Sequence, residues 1–225
     1  MKRPILSQSM RNYLKVIYEI LEKQNRATTS AIAERMGLSS PSVTSMIKRL
    51  AELNLVRHKP YQGVNLTRKG ERTAVEIIRH HRLIELYLAD SLGVPWDQVH
   101  DEAEKLQHAI SEDLEGRMAA ALGNPSVDPH GAPIPARDGS VVRVEGVSLF
   151  EIEPGESVIV LEVGDRNPEL LRHLGNLHLY PGTEIDVVRV EPFGGPLVIR
   201  ADGREFILGR AAAGEILVSR SRERG

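Results

Sequence analysis

The chain of 225 residues contains no cysteine. That absence excludes a disulfide framework, a thiolate nucleophile and a cysteine-type zinc finger. Long apolar runs are missing too. No uninterrupted stretch approaches the roughly 18 residues a membrane span needs, so no integral membrane segment is expected. Met1-Lys2-Arg3-Pro4 lacks the apolar core of a secretory signal, and a cytoplasmic setting is the expectation. What is present, 41% hydrophobic and 27% charged residues, is ordinary for a globular protein. The length suits one large domain or two to three small ones at roughly 100–200 residues each.

The net charge of −2 hides a split. Residues 1–75 carry 14 Lys and Arg against 5 Asp and Glu, a balance of +9; residues 76–225 carry 15 against 26, a balance of −11. A basic N-terminal third points to a polyanionic partner at that end.

Met10, Tyr13, Leu14, Ile17, Ile20 and Leu21 recur at helical spacing and predict an amphipathic helix over about 8–23. A break follows at 25–28. Thr29 or Ser30 can cap a second helix through Met36, with Gly37 as its stop. Ser39-Ser40-Pro41 is a third start signal, a serine cap with Pro in the first turn. Val43, Ile47, Leu50 and Leu53 give that helix an apolar face. Two short helices joined by a glycine-containing turn form a helix-turn-helix, whose second helix enters the major groove N-terminus first. Its outward residues Ser40, Pro41, Ser42, Thr44 and Ser45 are small, and the hydroxyls can reach phosphates or base edges. Lys48 and Arg49 suit phosphate. Residues 55–59 and 64–66 read as strands around a turn at 60–63, a basic hairpin or wing that adds Lys59. An ordinary three-helix core with a hairpin has the same periodicity. The charge and the hydroxyl-rich face favour DNA binding.

Thr67 caps a long predicted helix to about Leu92, and Gly93-Val94-Pro95 breaks it. A further helix is predicted over about 95–110, and another from the Ser111 cap to near Gly123. Long apolar helices beside a DNA-reading head suggest a two-fold dimer for an operator with two half-sites. Residues 123–140 are dense in proline and glycine and predict a linker without regular elements. Short β runs follow at 141–144, 157–163, 184–190, 197–200, 204–208 and 216–219. One helix, capped by Asn167 with Pro168 behind it, lies among them. This pattern suggests a small barrel.

The chemistry-bearing pattern lies in the middle. His81 and Glu85 are one helical turn apart and share a face. His100, Glu104, Gln107 and His108 share a sector of roughly 100° on the next predicted helix, with ends about 12 Å apart. One ion cannot use both ends. The layout predicts one site near Glu104–His108 and another near His81, Glu85 and His100. Imidazole with oxygen donors suits Mn(II), Fe(II), Zn(II), Co(II) or Ni(II). Two solvated charged helix faces are the alternative. A His-Glu-x-x-His pattern with a built-in base is missing, which weighs against a metallohydrolase, and no oriented base or substrate cleft is readable. An enzyme is not expected.

These residues resemble the diphtheria-toxin-repressor (DtxR/MntR) family of metal-dependent transcriptional regulators, over nearly the whole chain. The carriers are Tyr13-Leu14-Lys15-Val16-Ile17-Tyr18, Ser40-Pro41-Ser42-Val43-Thr44, Leu66-Thr67-Arg68-Lys69-Gly70, His81-Arg82-Leu83-Ile84-Glu85, Val99-His100-Asp101-Glu102-Ala103-Glu104 through His108, and Pro129-His130-Gly131. The resemblance implies a mainly α chain with a small all-β domain. Its parts are a winged helix-turn-helix (1–73), a helical metal-binding and dimerisation domain (74–123), a linker (124–140) and a C-terminal SH3-like, FeoA-like β domain (141–225). It implies an ancillary metal site from His81, Glu85 and His100 completed by Glu162 and Asp165, and a primary site from Asn12, Glu104, Gln107 and His108.

Iron-selective members often carry Cys where Glu104 stands, and Glu resembles the manganese-responsive branch. That branch often has Asp at the position of Asn12 and Glu at that of Gln107, so two neutral amides replace two carboxylates. Asp128, where some relatives have Cys, could supply a compensating carboxylate. Lys15 stands where binuclear manganese sensors place an acid. The implied function is a Mn(II)-responsive repressor of metal-uptake genes, a homodimer on palindromic double-stranded DNA. An Fe(II)-responsive repressor and a metal-independent DNA-binding protein with degenerate sites remain as alternatives. Zn(II), Co(II) or Cd(II) are expected substitutes.

Overall fold

The computed structural model describes residues 6–24, 26–59, 63–142 and 144–220, without the side chains of Lys23, Lys59 and Arg220. Met1-Lys2-Arg3-Pro4, Asn25 in the expected break and most of the wing's turn (60–62) lie outside them, as does the Lys59 side chain. The chain forms two units, residues 1–80 with 135–140 and residues 81–134 with 141–225.

The first unit begins with α1 (Gln8–Lys23), whose Ser7 cap accepts a hydrogen bond from the Met10 amide at 3.3 Å. α2 (Thr29–Met36) is capped one residue earlier than expected: Thr28 Oγ1 accepts from the Ala31 amide at 3.1 Å. Gly37, at φ +64°, ends it in the left-handed conformation that glycine adopts without strain. α3 (Ser40–Glu52) starts at Ser39 with Pro41 in its first turn, but the Ser39 side chain makes no capping bond. Tyr13, Leu14, Ile17, Ile32, Val43, Ile47 and Leu50 are fully buried among these helices. Each such side chain contributes about 1.5–3 kcal/mol. β1 (Val56–Lys59) and β2 (Gly63–Leu66) pair antiparallel, with Val56 opposite Leu66. Thr67 caps the long α4 (Arg68–Leu92) by accepting from the Gly70 amide at 3.1 Å.

The second unit takes the rest of α4, then α5 (Val99–Leu106) and α6 (Glu112–Ala121). The helix expected over 95–110 is shorter at both ends. Residues 96–98 and 107–109 are turns, so Gln107 caps α5 and His108 follows it. Ser111 caps α6 through the Leu114 amide at 3.2 Å. The expected linker is partly a packed element. Val127 bridges Pro133, and Asp128, His130, Ala132 and Ile134 are buried.

The β elements are β3 (Val147–Ser148), a 3-10 turn (Leu149–Glu151), β4 (Ser157–Val163), α7 (Pro168–Asn176), β5 (Glu184–Val190), β6 (Leu197–Ala201), β7 (Arg204–Leu208), α8 (Arg210–Gly214) and β8 (Ile216–Arg220). They form one antiparallel sheet in the order β3-β8-β4-β5-β6-β7. Register shifts at Val160/Glu162 and Val187/Arg189 disturb the ladder, and such bulges bend and twist the strands that carry them. Arg143 lies outside the described residues, and the described residues of the run expected at 141–144 are in no strand. Val142 is 79% exposed, and the first strand is β3 instead. Asn167 caps α7 as expected, accepting from the Glu169 and Leu170 amides.

Candidate functional site

His81 and Glu85 face the start of α5. His81 Nε2 lies 2.9 Å and His100 Nδ1 3.0 Å from the same oxygen, Glu85 Oε1. The two imidazole nitrogens are 3.2 Å apart. Asp165, in the bend after β4, brings Oδ2 to 3.3 Å from His100 Nδ1. Burial opposes the charged forms here, yet the partners win. Hydrogen bonds that His100 donates to Asp165 and Glu85 push it up to about 10. Burial would raise Glu85, but the His81 charge and the His100 and His81 contacts hold it below the usual carboxylate range. Asp165 is lowered against its burial by His100.

A second group adjoins the first. Ligand atoms of Glu85, Asp128 and His130 lie within 4.8 Å of one another, and all three residues are buried. The turn that holds Asp128 explains its orientation. Asp128 Oδ1 accepts from the His130 amide at 2.8 Å and the Ala132 amide at 3.0 Å, which leaves Oδ2 facing inward. Gly131 closes the turn against β4. Its φ is +89°, and a Cβ there would overlap the Leu161 carbonyl oxygen and sit 3.0 Å from Glu162 Cα. Burial, then the Glu85 charge, raises Asp128 well above its ordinary value, with Arg82 opposing. Among the described residues, Glu85 Oε2, Asp128 Oδ2 and His130 Nδ1 are buried acceptor atoms without a hydrogen bond. Buried polar groups left unsatisfied cost about 1–3 kcal/mol each. Carboxylate oxygens and an imidazole nitrogen in one dry place suit a divalent cation of the first transition row.

The sequence offers Asp128 to the Glu104 site and gives His130 no ligand role. The structure instead gathers both beside Glu85. The available signal was an acid and a histidine two residues apart in a turn closed by Gly131. Glu162, on β4 at a register shift, falls in neither group.

The Glu104 set is built around the end of α5. Gln107 is buried, and its Nε2 donates to Glu104 Oε2 at 2.8 Å. Its Oε1 is buried without a hydrogen bond among the described residues. His81 Nδ1 lies 3.9 Å from Glu104 Oε1. The two expected sites therefore meet through His81. Donor chemistry and the orphaned amide oxygen fit a cation here as well.

On the first unit, Ser40, Pro41, Ser42, Ser45, Lys48 and Arg49 are exposed on α3. Thr44 is half-buried, and its hydroxyl donates back to the Ser40 carbonyl at 2.9 Å. Ser42 hydrogen-bonds Tyr13, whose hydroxyl burial raises and Ser42 lowers. These two hydroxyls are engaged within the unit, whereas Ser40, Ser45, Lys48 and Arg49 face outward. Asn12 is half-buried and Lys15 buried on α1. No helix among the described residues is long and apolar enough to cross a membrane.

Comparison with known proteins gives a consistent assignment along the chain. Residues 5–64 match the iron dependent repressor N-terminal DNA binding domain, 67–136 the iron dependent repressor metal binding and dimerisation domain, and 147–220 the FeoA domain. The iron-dependent repressor IdeR of Mycobacterium leprae is 32% identical over 83% of this chain and 86% of its own length. The diphtheria toxin repressor of Corynebacterium efficiens is 30% identical over 85% of this chain and 86% of its own. Among solved structures, a manganese-dependent transcriptional repressor in complex with manganese superposes with a TM-score of 0.89 at 37% identity, covering 94% of this chain and 100% of that one. The manganese regulator SloR gives 0.78 at 32%, covering 94% and 98%.

Proposed function

Because the chain belongs to the diphtheria-toxin-repressor family of metal-dependent transcriptional repressors, we propose that it is a Mn(II)-responsive repressor of metal-uptake genes. It acts in the cytoplasm as a homodimer on palindromic double-stranded DNA. Residues 1–73 are the DNA-binding head, 74–123 the metal-binding and dimerisation domain, 124–140 the connection and 141–225 the β domain.

The observation that carries the metal reading is the buried meeting of Glu85, Asp128 and His130, whose inward acceptor atoms have no hydrogen bond among the described residues. His81, His100 and Asp165 surround it, and Glu104, Gln107 and His108 form the neighbouring set. The resemblance adds Asn12 to that set and Glu162 to the first. A bound cation supplies positive charge where burial and repulsion otherwise penalise the carboxylates. The chain's own residues do the rest: backbone amides aim Asp128, and His81 and His100 hold Glu85 ionised. Oxygen and nitrogen donors without sulfur favour Mn(II) and Fe(II) over softer ions. Fe(II) response is the second reading, favoured by the relatives named as iron-dependent repressors. Zn(II), Co(II) and Cd(II) are expected to substitute.

DNA affinity depends on metal if the metal-loaded protein populates the DNA-binding conformation more than the metal-free protein does. The test uses duplexes selected from a randomised pool with Mn(II) present, then anisotropy titrations with Mn(II), anaerobic Fe(II), Zn(II) or chelator at fixed salt. The expected result is tight binding only with metal, with Mn(II) acting at the lowest free concentration. Equal affinity in chelator overturns the sensing reading and leaves a metal-independent DNA-binding protein. A stronger response to Fe(II) replaces manganese with iron.

A further inference from the structure

The chain's single tryptophan, Trp96, lies in the turn that was expected to be helix. We propose that Trp96 is the positioning residue of the Glu85–Asp128–His130 centre: its backbone carbonyl selects the histidine tautomer that can ligate, and its indole holds that ring between the helices and the β elements. The proposal rests on the metal reading above.

His130 is fully buried, and its Nε2 lies 2.8 Å from the Trp96 carbonyl oxygen. A carbonyl only accepts, so in the neutral ring Nε2 carries the proton and Nδ1 is the lone pair. Nδ1 is the buried atom without a hydrogen bond among the described residues. A ligating histidine commonly donates its other N–H to a carbonyl in this way, which fixes tautomer and ring orientation.

The indole supports the same ring. Trp96 stacks on His130 with centroids 5.6 Å apart and an interplanar angle of 28°. Beside it, Tyr180 packs at 4.8 Å. Gly175 on α7 makes room, since a Cβ there would lie 3.0 Å from the indole Nε1 and 3.2 Å from the Tyr180 hydroxyl. Two further bonds fix the turn. The Gln98 amide donates to the Pro95 carbonyl at 2.8 Å, and Arg172 on α7 pairs with Asp97 at 3.0 Å. The orientation of a metal donor is thus set jointly by the α4–α5 turn and by α7. Trp96 emission becomes a direct reporter of the ion's presence.

The test uses the full chain and three readouts. Nitrogen-15 NMR of the metal-free protein reads the His130 tautomer, assigned with His130→Gln. Tryptophan emission and calorimetry follow titration with Mn(II) and with Zn(II). The wild type is expected to hold His130 as the Nε2–H form and to change its emission in step with ion binding. Trp96→Ala, which keeps the carbonyl but removes the stack that holds the ring against it, is expected to admit the Nδ1–H tautomer and weaken ion binding about tenfold or more, as losing a group that orients a ligand does. Trp96→Phe, which keeps both stack and backbone, is expected to restore affinity to within about threefold of wild type. A wild-type His130 in the Nδ1–H form overturns the proposal, as does a folded Trp96→Ala protein with unchanged tautomer and affinity. If Trp96→Ala does not fold, a tenfold loss in Trp96→Phe, or wild-type emission indifferent to bound ion, overturns it. Failure of the wild type to bind either ion overturns the metal reading itself, a distinguishable result.

Discussion

Replacing Gly131 with alanine tests how the turn that carries Asp128 and His130 is held. Gly131 sits at φ +89°, where an L side chain is strained by roughly 1–2 kcal/mol. A Cβ there would also overlap the Leu161 carbonyl oxygen and approach the Leu161 carbonyl carbon at 2.9 Å. Both contacts are backbone, so no side chain can swing away. The turn must lift off β4, and the Val163 amide then loses its 2.9 Å bond to the His130 carbonyl. An unsatisfied buried amide adds about 1–3 kcal/mol. The total is about 2–5 kcal/mol, which at about 2–4 °C per kcal/mol lowers the melting temperature of this unit by roughly 4–20 °C. Gly155 is a control in the same unit, with φ +91° and nothing within 4 Å of its Cβ. Gly155→Ala should carry the conformational cost alone. The assay is calorimetry with chelator and with Mn(II), the two units being followed as separate transitions. Metal at a hundred times its dissociation constant stabilises wild type by about 2.7 kcal/mol, and Gly131→Ala should lose most of that gain. Equal melting temperatures and equal Mn(II) shifts for the two alanine variants would refute the close-approach argument.

Glu85→Gln keeps the side-chain shape and removes the charge that faces His81 and His100. Mn(II) affinity is expected to fall at least about tenfold, or 1.4 kcal/mol, by calorimetric titration; an unchanged constant would remove Glu85 from the site. In the metal-free protein, His100 is raised from 6.5 to about 10. Its contribution to stability is fully present below about pH 6.5 and is lost as pH rises through about 10. Urea unfolding in chelator should therefore show a decline between these limits that His100→Gln flattens. Lys48→Ala and Arg49→Ala should each reduce the slope of log affinity against log salt by about one and weaken all duplexes alike. A loss confined to one base position would instead mark a base contact.

Much of the molecule was legible because short-range chemistry decides it. Ser111, Asn167 and Thr67 announce their helices by capping, and the short β runs from Ser157 to Val163 and from Glu184 to Val190 become strands. His81, Glu85 and His100 were readable since one helical turn and a repeated donor pattern place them. What failed depended on partners far along the chain. Val141, Val142 and Val144 are β-prone, but these described residues join no ladder, and β-propensity without a neighbour is not enough. The turn at 96–98 replaces the expected helix start, and Trp96 there packs against the β elements and His130. Asp128 and His130 lie inside a stretch whose proline and glycine read as a linker without regular elements. Those same residues build the tight turn that carries two donors to Glu85.

The absence of cysteine acquires a redox meaning at the two donor sets. Neither His81, Glu85, His100, Asp128, His130 and Asp165 nor Glu104, Gln107 and His108 contains a sulfur atom. Peroxide converts a ligating thiolate stepwise to sulfenic and sulfinic acids and can so disarm a sensor that depends on one. That route is closed here. With metal bound as proposed, an oxidant would act through these donors on the valence of the ion or on an imidazole ring, never on a thiolate.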